Sequence, residues 1–184
     1  LSRFQSKPSE RLWKIIKRVL RYVKGSLNLK LVFTRNNSVE SLITFTKNTT
    51  VGRKLLLSER SQPIVGFADA SFATNDAQAH STTGTLIKLF GNTIAWTSRR
   101  QTIVALSTMI AEFYAVCDIT RDILWIRQLL ESLGCKANGP TLIFEDNQGC
   151  IDIIKNPANF KGTRHLDTKL FFVRDEVDKT IFLQ

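Results

Sequence analysis

The sequence predicts an α/β fold built on one mixed sheet, and three observations predict it. Four short apolar runs, at residues 64–69, 83–90, 93–98 and 142–146, have strand length and composition. A 27-residue segment, 107–133, separates the third run from the fourth and carries apolar residues at helical spacing, Val116, Ile119, Ile123, Ile126 and Leu130. Acidic residues stand where two of the runs end, Asp69 and Asp146, and a third acid, Glu112, stands near the start of the helical segment.

Residues 9–24 precede this unit and read as an amphipathic helix. Leu12, Ile15, Ile16, Val19 and Val23 recur every three or four residues, and Lys14, Lys17, Arg18 and Arg21 line the opposite face. Ser9 is placed to cap its start and Gly25 to end it. The basic face fits either a solvated surface or one that tracks phosphates. The apolar side continues into Leu27, Leu29, Leu31 and Phe33, an alternating pattern that predicts a short strand. Residues 34–61 are polar and read as a weak strand, turns and a linker.

Charge divides the chain at the same place. Residues 1–60 hold fourteen Lys and Arg against three Asp and Glu, whereas residues 61–184 hold twelve against thirteen. The excess of the +10 net charge therefore sits in the first third, which points to two parts, 1–60 and 61–184, the first suited to a polyanion. No run of about 18 apolar residues exists, so neither a membrane span nor a membrane partner is expected. Leu1-Ser2-Arg3-Phe4 leads into polar residues and lacks the apolar core of a secretory signal. The chain does not begin with Met and is expected to be a piece of a longer product. Cys117, Cys135 and Cys150 are odd in number and form no C-x-x-C, which predicts free thiols in a reducing compartment.

From residue 62 the elements follow in order. The strand at 64–69 is followed by a polar loop at 73–82. A turn at Gly91-Asn92 joins the next two strands into an antiparallel meander. Ser107 caps the long helix and Gly134 stops it. The strand at 142–146 leads into a short helix around Ile151–Ile154, ended by Asn156-Pro157. Residues 165–177 are helical again, and Thr180–Leu183 begins a fifth strand.

This order makes a site. The third strand ends at the same edge as the first, so the long helix starts there with Glu112 in its first two turns. The helix carries the chain back, and a right-handed crossover lays the fourth strand parallel to the first. The order 3-2-1-4 reverses direction between strands one and four, where α/β sheets bind ligands beyond the carboxyl ends. Asp69 and Asp146 become neighbours at about 5 Å. At an effective dielectric of about 20, each acid pair at that separation costs roughly 3–4 kcal/mol, so the acids either hold protons or share cations. An all-oxygen set without His or Cys favours Mg²⁺ or Mn²⁺ over zinc. Two such ions about 4 Å apart suit in-line attack of water on a phosphodiester.

Several stretches then resemble one family. Val65-Gly66-Phe67-Ala68-Asp69-Ala70-Ser71-Phe72, Ser81-Thr82-Thr83-Gly84, Ser98-Arg99-Arg100-Gln101, Val104-Ala105-Leu106-Ser107, Ala111-Glu112-Phe113, Leu124-Trp125-Ile126, Glu145-Asp146-Asn147-Gln148-Gly149-Cys150 and Arg164-His165-Leu166-Asp167 resemble, in order and spacing, the ribonuclease H domain of copia-type LTR retrotransposon polyproteins. Leu1–Phe4 and Lys17–Gly25 resemble the segment joining reverse transcriptase to that domain. The resemblance implies a ribonuclease H-like mixed five-stranded sheet of order 3-2-1-4-5, its last strand incomplete, with flanking helices. It implies hydrolysis of the RNA strand of RNA–DNA hybrids with two Mg²⁺ or Mn²⁺ ions. It also implies an upstream reverse transcriptase domain as partner and an intracellular setting: cytoplasm, virus-like particle or nucleus. Asp69, Glu112 and Asp146 take the places of metal-binding catalytic acids. Ser71, Asn147 and Gln148 take places that contact the hybrid, and Lys14, Lys17, Arg18 and Arg21 are suited to hold phosphates nearby.

The chain departs from the family pattern at several points. Met109-Ile110-Ala111-Glu112 stands for a T-E-A-E stretch and keeps its second acid. Phe72 stands for a tryptophan, and Gln78-Ala79-His80 for a charged D-R-K loop. The family's fourth acid follows a complete fifth strand, beyond Gln184; Asp167 and His165 are expected to serve helix start or packing instead. On these departures the fragment alone is expected to show weak or no activity. They motivate an alternative, a degenerate or domesticated copy that binds nucleic acid or a protein partner without catalysis.

Overall fold

The computed structural model describes residues 9–33, 64–72, 80–156 and 167–184. The linker expected at 34–61, most of the loop at 73–82, the motif residues Leu1–Phe4 and Arg164–Leu166, and the side chain of Asp167 lie outside the described residues. The chain divides into two compact units, Leu1–Val32 and Phe33–Gln184.

The first unit contains helix α1, Glu10–Gly25. Ser9 caps it, its hydroxyl accepting the Leu12 N–H at 3.3 Å. At the other end the Ser26 N–H donates to the Val23 carbonyl. No residue of α1 is buried, and Lys14, Lys17, Arg18 and Arg21 are exposed. The strand expected at Leu27–Phe33 does not form. Residues 26–28 turn, and 29–33 have no regular structure. Alternation alone makes no strand: the ladder hydrogen bonds need a partner, and no strand of the described residues pairs here.

The second unit holds a five-stranded sheet of order β3-β2-β1-β4-β5. Its strands are β1 (Ile64–Ser71), β2 (Thr82–Leu89), β3 (Asn92–Arg100), β4 (Thr141–Phe144) and β5 (Ile181–Leu183). β1, β2 and β3 form the antiparallel meander. β4 is parallel to β1, and β5 parallel to β4. The β2–β3 turn lies one residue earlier than expected, at Phe90-Gly91. Both residues have positive φ, 48° and 78°, as a tight type I′ hairpin requires, and Asn92 already belongs to β3.

Helix α2, Thr108–Ser132, is the crossover between β3 and β4. Ser107 caps it, accepting the Ile110 N–H at 3.2 Å. The expected stripe, Val116, Ile119, Ile123, Ile126 and Leu130, is buried throughout. Gly66 of β1 lets this helix approach: a Cβ there would stand 2.9 Å from the Cδ1 atoms of both Ile119 and Ile123. Helix α3, Gln148–Lys155, follows β4, and α4, Asp167–Glu176, packs against both α3 and α2, with Leu170 and Val173 buried. Arg174 locks α3 and α4 together by donating to the carbonyls of Ile153, Ile154 and Asn156 at the end of α3. Among the described residues, no helix is long and apolar enough to cross a membrane.

Candidate metal centre

The register of the parallel pair sets the site. Phe67 of β1 stands opposite Phe144 of β4, and their rings stack with centroids 5.0 Å apart. Two residues further along each chain come Asp69 and Asp146. Asp69 shares the face of Phe67 within β1, and Asp146 lies two residues past the end of β4. Glu112 arrives from the other direction, on the first turns of α2. One ligand oxygen from each of Asp69, Glu112 and Asp146 lies within 4.8 Å of the other two. Asp69 and Asp146 are exposed and Glu112 is buried, so the cluster has an open rim and a closed floor.

The floor is electrostatically costly. Burial pushes the Glu112 carboxyl up to about 7, and the charges of Asp69 and Asp146 push the same way, while the Ala70 backbone amide favours the ionised form. Glu112 is 6% exposed, and its Oε2 is buried without a hydrogen-bond partner. A buried carboxylate oxygen facing two more acids is the environment a hard cation satisfies. With three carboxylates and no His or Cys in the cluster, the donor set fits a divalent cation of the oxygen-loving class.

A fourth acid borders the cluster, and sequence reasoning missed it. Glu145 is 5% exposed. Burial raises its carboxyl to about 8, although its Oε1 accepts the Asn147 N–H at 3.1 Å, and Glu112, Asp146 and Asp69 add to the rise. Its Oε2 is also buried without a partner. No sequence signal separates it from Asp146: β4 ends at Phe144, so strand alternation does not reach Glu145. Gln101, which the sequence offers only as part of a motif, is buried as well.

The remaining candidates fall into two groups. Ser71 is exposed at the last residue of β1, two beyond Asp69. Asn147 follows Asp146 and caps α3, its side chain accepting the Cys150 N–H at 3.0 Å. Gln148 begins α3 and donates to Asp152 at 2.7 Å. Both therefore have local structural work as well as a place beside the acids. Lys14, Lys17, Arg18 and Arg21 belong to the other unit, on α1.

A mixed sheet of this order, with acids at the ends of the central parallel strands and on the crossover helix, is the arrangement expected of a ribonuclease H-like fold. No protein-family model matches the chain. It is 28% identical over 178 residues to the retrovirus-related Pol polyprotein from transposon TNT 1-94 of Nicotiana tabacum, covering 97% of this chain and 12% of that protein. It is 26% identical over 177 residues to the Pol polyprotein from transposon RE1 of Arabidopsis thaliana, covering 96% and 10%. The secreted RxLR effector protein 161 of Plasmopara viticola is 31% identical over 126 residues, 68% of this chain and 72% of that one. Among solved structures, LC11-RNase H1 in complex with an RNA/DNA hybrid aligns at a TM-score of 0.47 and 14% identity, over 66% of this chain and 83% of that one. Along nearly its whole length, this chain has retrovirus-related Pol polyproteins of copia-type transposons as its homologues. It spans about a tenth of the length of the Pol polyproteins it matches.

Proposed function

We infer that this chain is part of a Pol polyprotein and that its ribonuclease H-like unit hydrolyses the RNA strand of RNA–DNA hybrids, with Mg²⁺ or Mn²⁺ as cofactor. The observation that carries this is the convergence of Asp69, Glu112 and Asp146, from two parallel strands and the crossover helix, to within 4.8 Å. When bound, a pair of divalent ions there would acidify a water and neutralise charge on the scissile phosphate. Asp69 and Asp146, at the open rim, would hold the cations where a phosphate can reach them. Glu112, on the buried floor, fixes the third direction of approach. Ser71, Asn147 and Gln148 lie close in sequence to the two aspartates and offer short polar groups to the sugar-phosphate edge of an A-form-like hybrid, whose wide minor groove exposes 2′-hydroxyls. The segment at 1–60 would join this unit to the reverse transcriptase, with Lys14, Lys17, Arg18 and Arg21 contacting phosphates. The setting is intracellular.

The test is cleavage of a hybrid labelled on its RNA strand. Divalent-dependent cleavage, weak in this fragment, is expected, and Asp69→Asn or Asp146→Asn is expected to reduce it by at least about a hundredfold. Undiminished cleavage in both variants would remove the acids from the reaction.

One observation favours a second reading. The effector relative is a short protein of which this chain covers 72%, so related sequence also occurs outside a full-length polyprotein. On that reading the fold is kept to bind nucleic acid or a protein without catalysis. Salt-dependent hybrid binding with no divalent-dependent cleavage would select it.

A further inference from the structure

We propose that Gln101 is a positioning residue for Glu112, holding the first turn of α2 against the sheet so that the third carboxylate meets the two aspartates. The proposal rests on the reading of those acids as a cation site.

Gln101 stands one residue past the end of β3 and is 7% exposed. Its backbone N–H donates to the Ser81 carbonyl at 2.8 Å, which fixes its main chain beside the start of β2. Its side-chain amide nitrogen donates two hydrogen bonds, to the Ala111 carbonyl at 2.9 Å and to the Thr83 hydroxyl at 3.0 Å. A primary amide has two N–H groups, and both are used. The carbonyl of Ala111 can only accept, so the –NH₂ end must face it and the amide cannot be turned over. His80 reinforces the same corner, its Nδ1 lying 2.9 Å from the Gln101 carbonyl.

These contacts close a circuit around the site. The Ala111 carbonyl belongs to the peptide group that joins Ala111 to Glu112, so holding it fixes where the Glu112 side chain departs. Thr83 is the ladder partner of Ala70. The Ala70 amide in turn favours the ionised Glu112 carboxyl. One buried side chain thus ties together the helix that carries Glu112 and the strand neighbouring the one that carries Asp69. An ordinary capping role does not account for this. Ser107 already caps α2, and the Ala111 carbonyl lies inside the helix, where no capping partner is needed.

The experiment is a calorimetric titration of Mn²⁺ into the full 184-residue chain. It compares the wild type with Gln101→Met, Thr83→Val, Glu112→Gln and the double variant Gln101→Met/Glu112→Gln. Gln101→Met keeps the length of the side chain and removes both donors. It is expected to weaken Mn²⁺ binding by about tenfold, with unchanged far-ultraviolet circular dichroism. Thr83→Val, which removes the second anchor alone, is expected to give a smaller loss of the same sign. In the Glu112→Gln background the Gln101 change is expected to have no further effect, because it acts through Glu112. A purely structural residue would lower the melting temperature in EDTA and leave the Mn²⁺ affinity of the folded protein unchanged, and that result would overturn the proposal. Equal additional losses with and without Glu112 would overturn it as well. If Gln101→Met does not fold, Thr83→Val decides, and full affinity there sinks the idea. A wild type that binds no Mn²⁺ would instead fell the cation-site reading itself, a result separable from the others.

Discussion

Burial pushes the Glu145 carboxyl up, and that shift can be read from stability. Its carboxyl stands at about 8 in the folded chain against the usual 4.5. A raised folded value means that the native state holds a proton the unfolded chain has released. Stability from this group is therefore fully present below about pH 4.5 and is lost as pH rises through about 8. Glu145→Gln makes the neutral form permanent. In EDTA at pH 8 the variant is expected to be more stable than the wild type by about 1–3 kcal/mol, the difference vanishing near pH 4. Urea unfolding at pH 4, 6 and 8 measures this, and a variant less stable at pH 8 would contradict the burial argument. At this scale the sequence was legible where an acid ended an apolar run, as at Asp69 and Asp146. It was not legible at Glu145. In the run Phe144-Glu145-Asp146 two adjacent acids look alike, and which of them turns inward depends on where the β4 ladder stops.

Among the elements, α2 was the most legible and the hairpin and α1 tail the least, for one reason. The stripe from Val116 to Leu130 repeats over four turns, and its buried face follows from local periodicity. The Phe90-Gly91 turn instead depends on which register β2 and β3 adopt, and Leu27–Phe33 depends on a partner strand that local pattern cannot supply. The contact of α2 with β1 also positions Glu112, and Gly66 lies in that contact. Gly66→Ala puts a methyl group 2.9 Å from two isoleucine methyls at once. Those groups are side-chain ends, but they lie in a packed core and cannot both move freely. The expected cost is about 1–3 kcal/mol in chemical denaturation. A neutral outcome would mean that the helix can ride outward, and Mn²⁺ affinity should then fall, because Glu112 rides with it.

At the scale of the whole molecule the two parts differ in kind: a basic, amphipathic first unit and a near-neutral second one that carries the acids. The charge excess toward the start of the chain was legible from residue counts, since charge is read directly and needs no contact. If the chain binds a hybrid as proposed, this division separates two contributions that a single-site protein would mix. Lys14, Lys17, Arg18 and Arg21 line the exposed basic face of α1, where each can neutralise a phosphate and release its counterion. Replacing all four by alanine is expected to weaken hybrid binding similarly for every sequence. The slope of log affinity against log salt should become shallower by roughly 0.7–0.9 for each phosphate contact removed. Mn²⁺ binding by the carboxylate cluster should be unaffected, because the four residues lie outside the unit that builds it. Filter binding across a salt series, with calorimetry of Mn²⁺ on the same protein, measures both. An unchanged salt slope would assign this face to the solvated surface rather than to nucleic acid, and a loss of Mn²⁺ affinity would mean that the two units do not act independently.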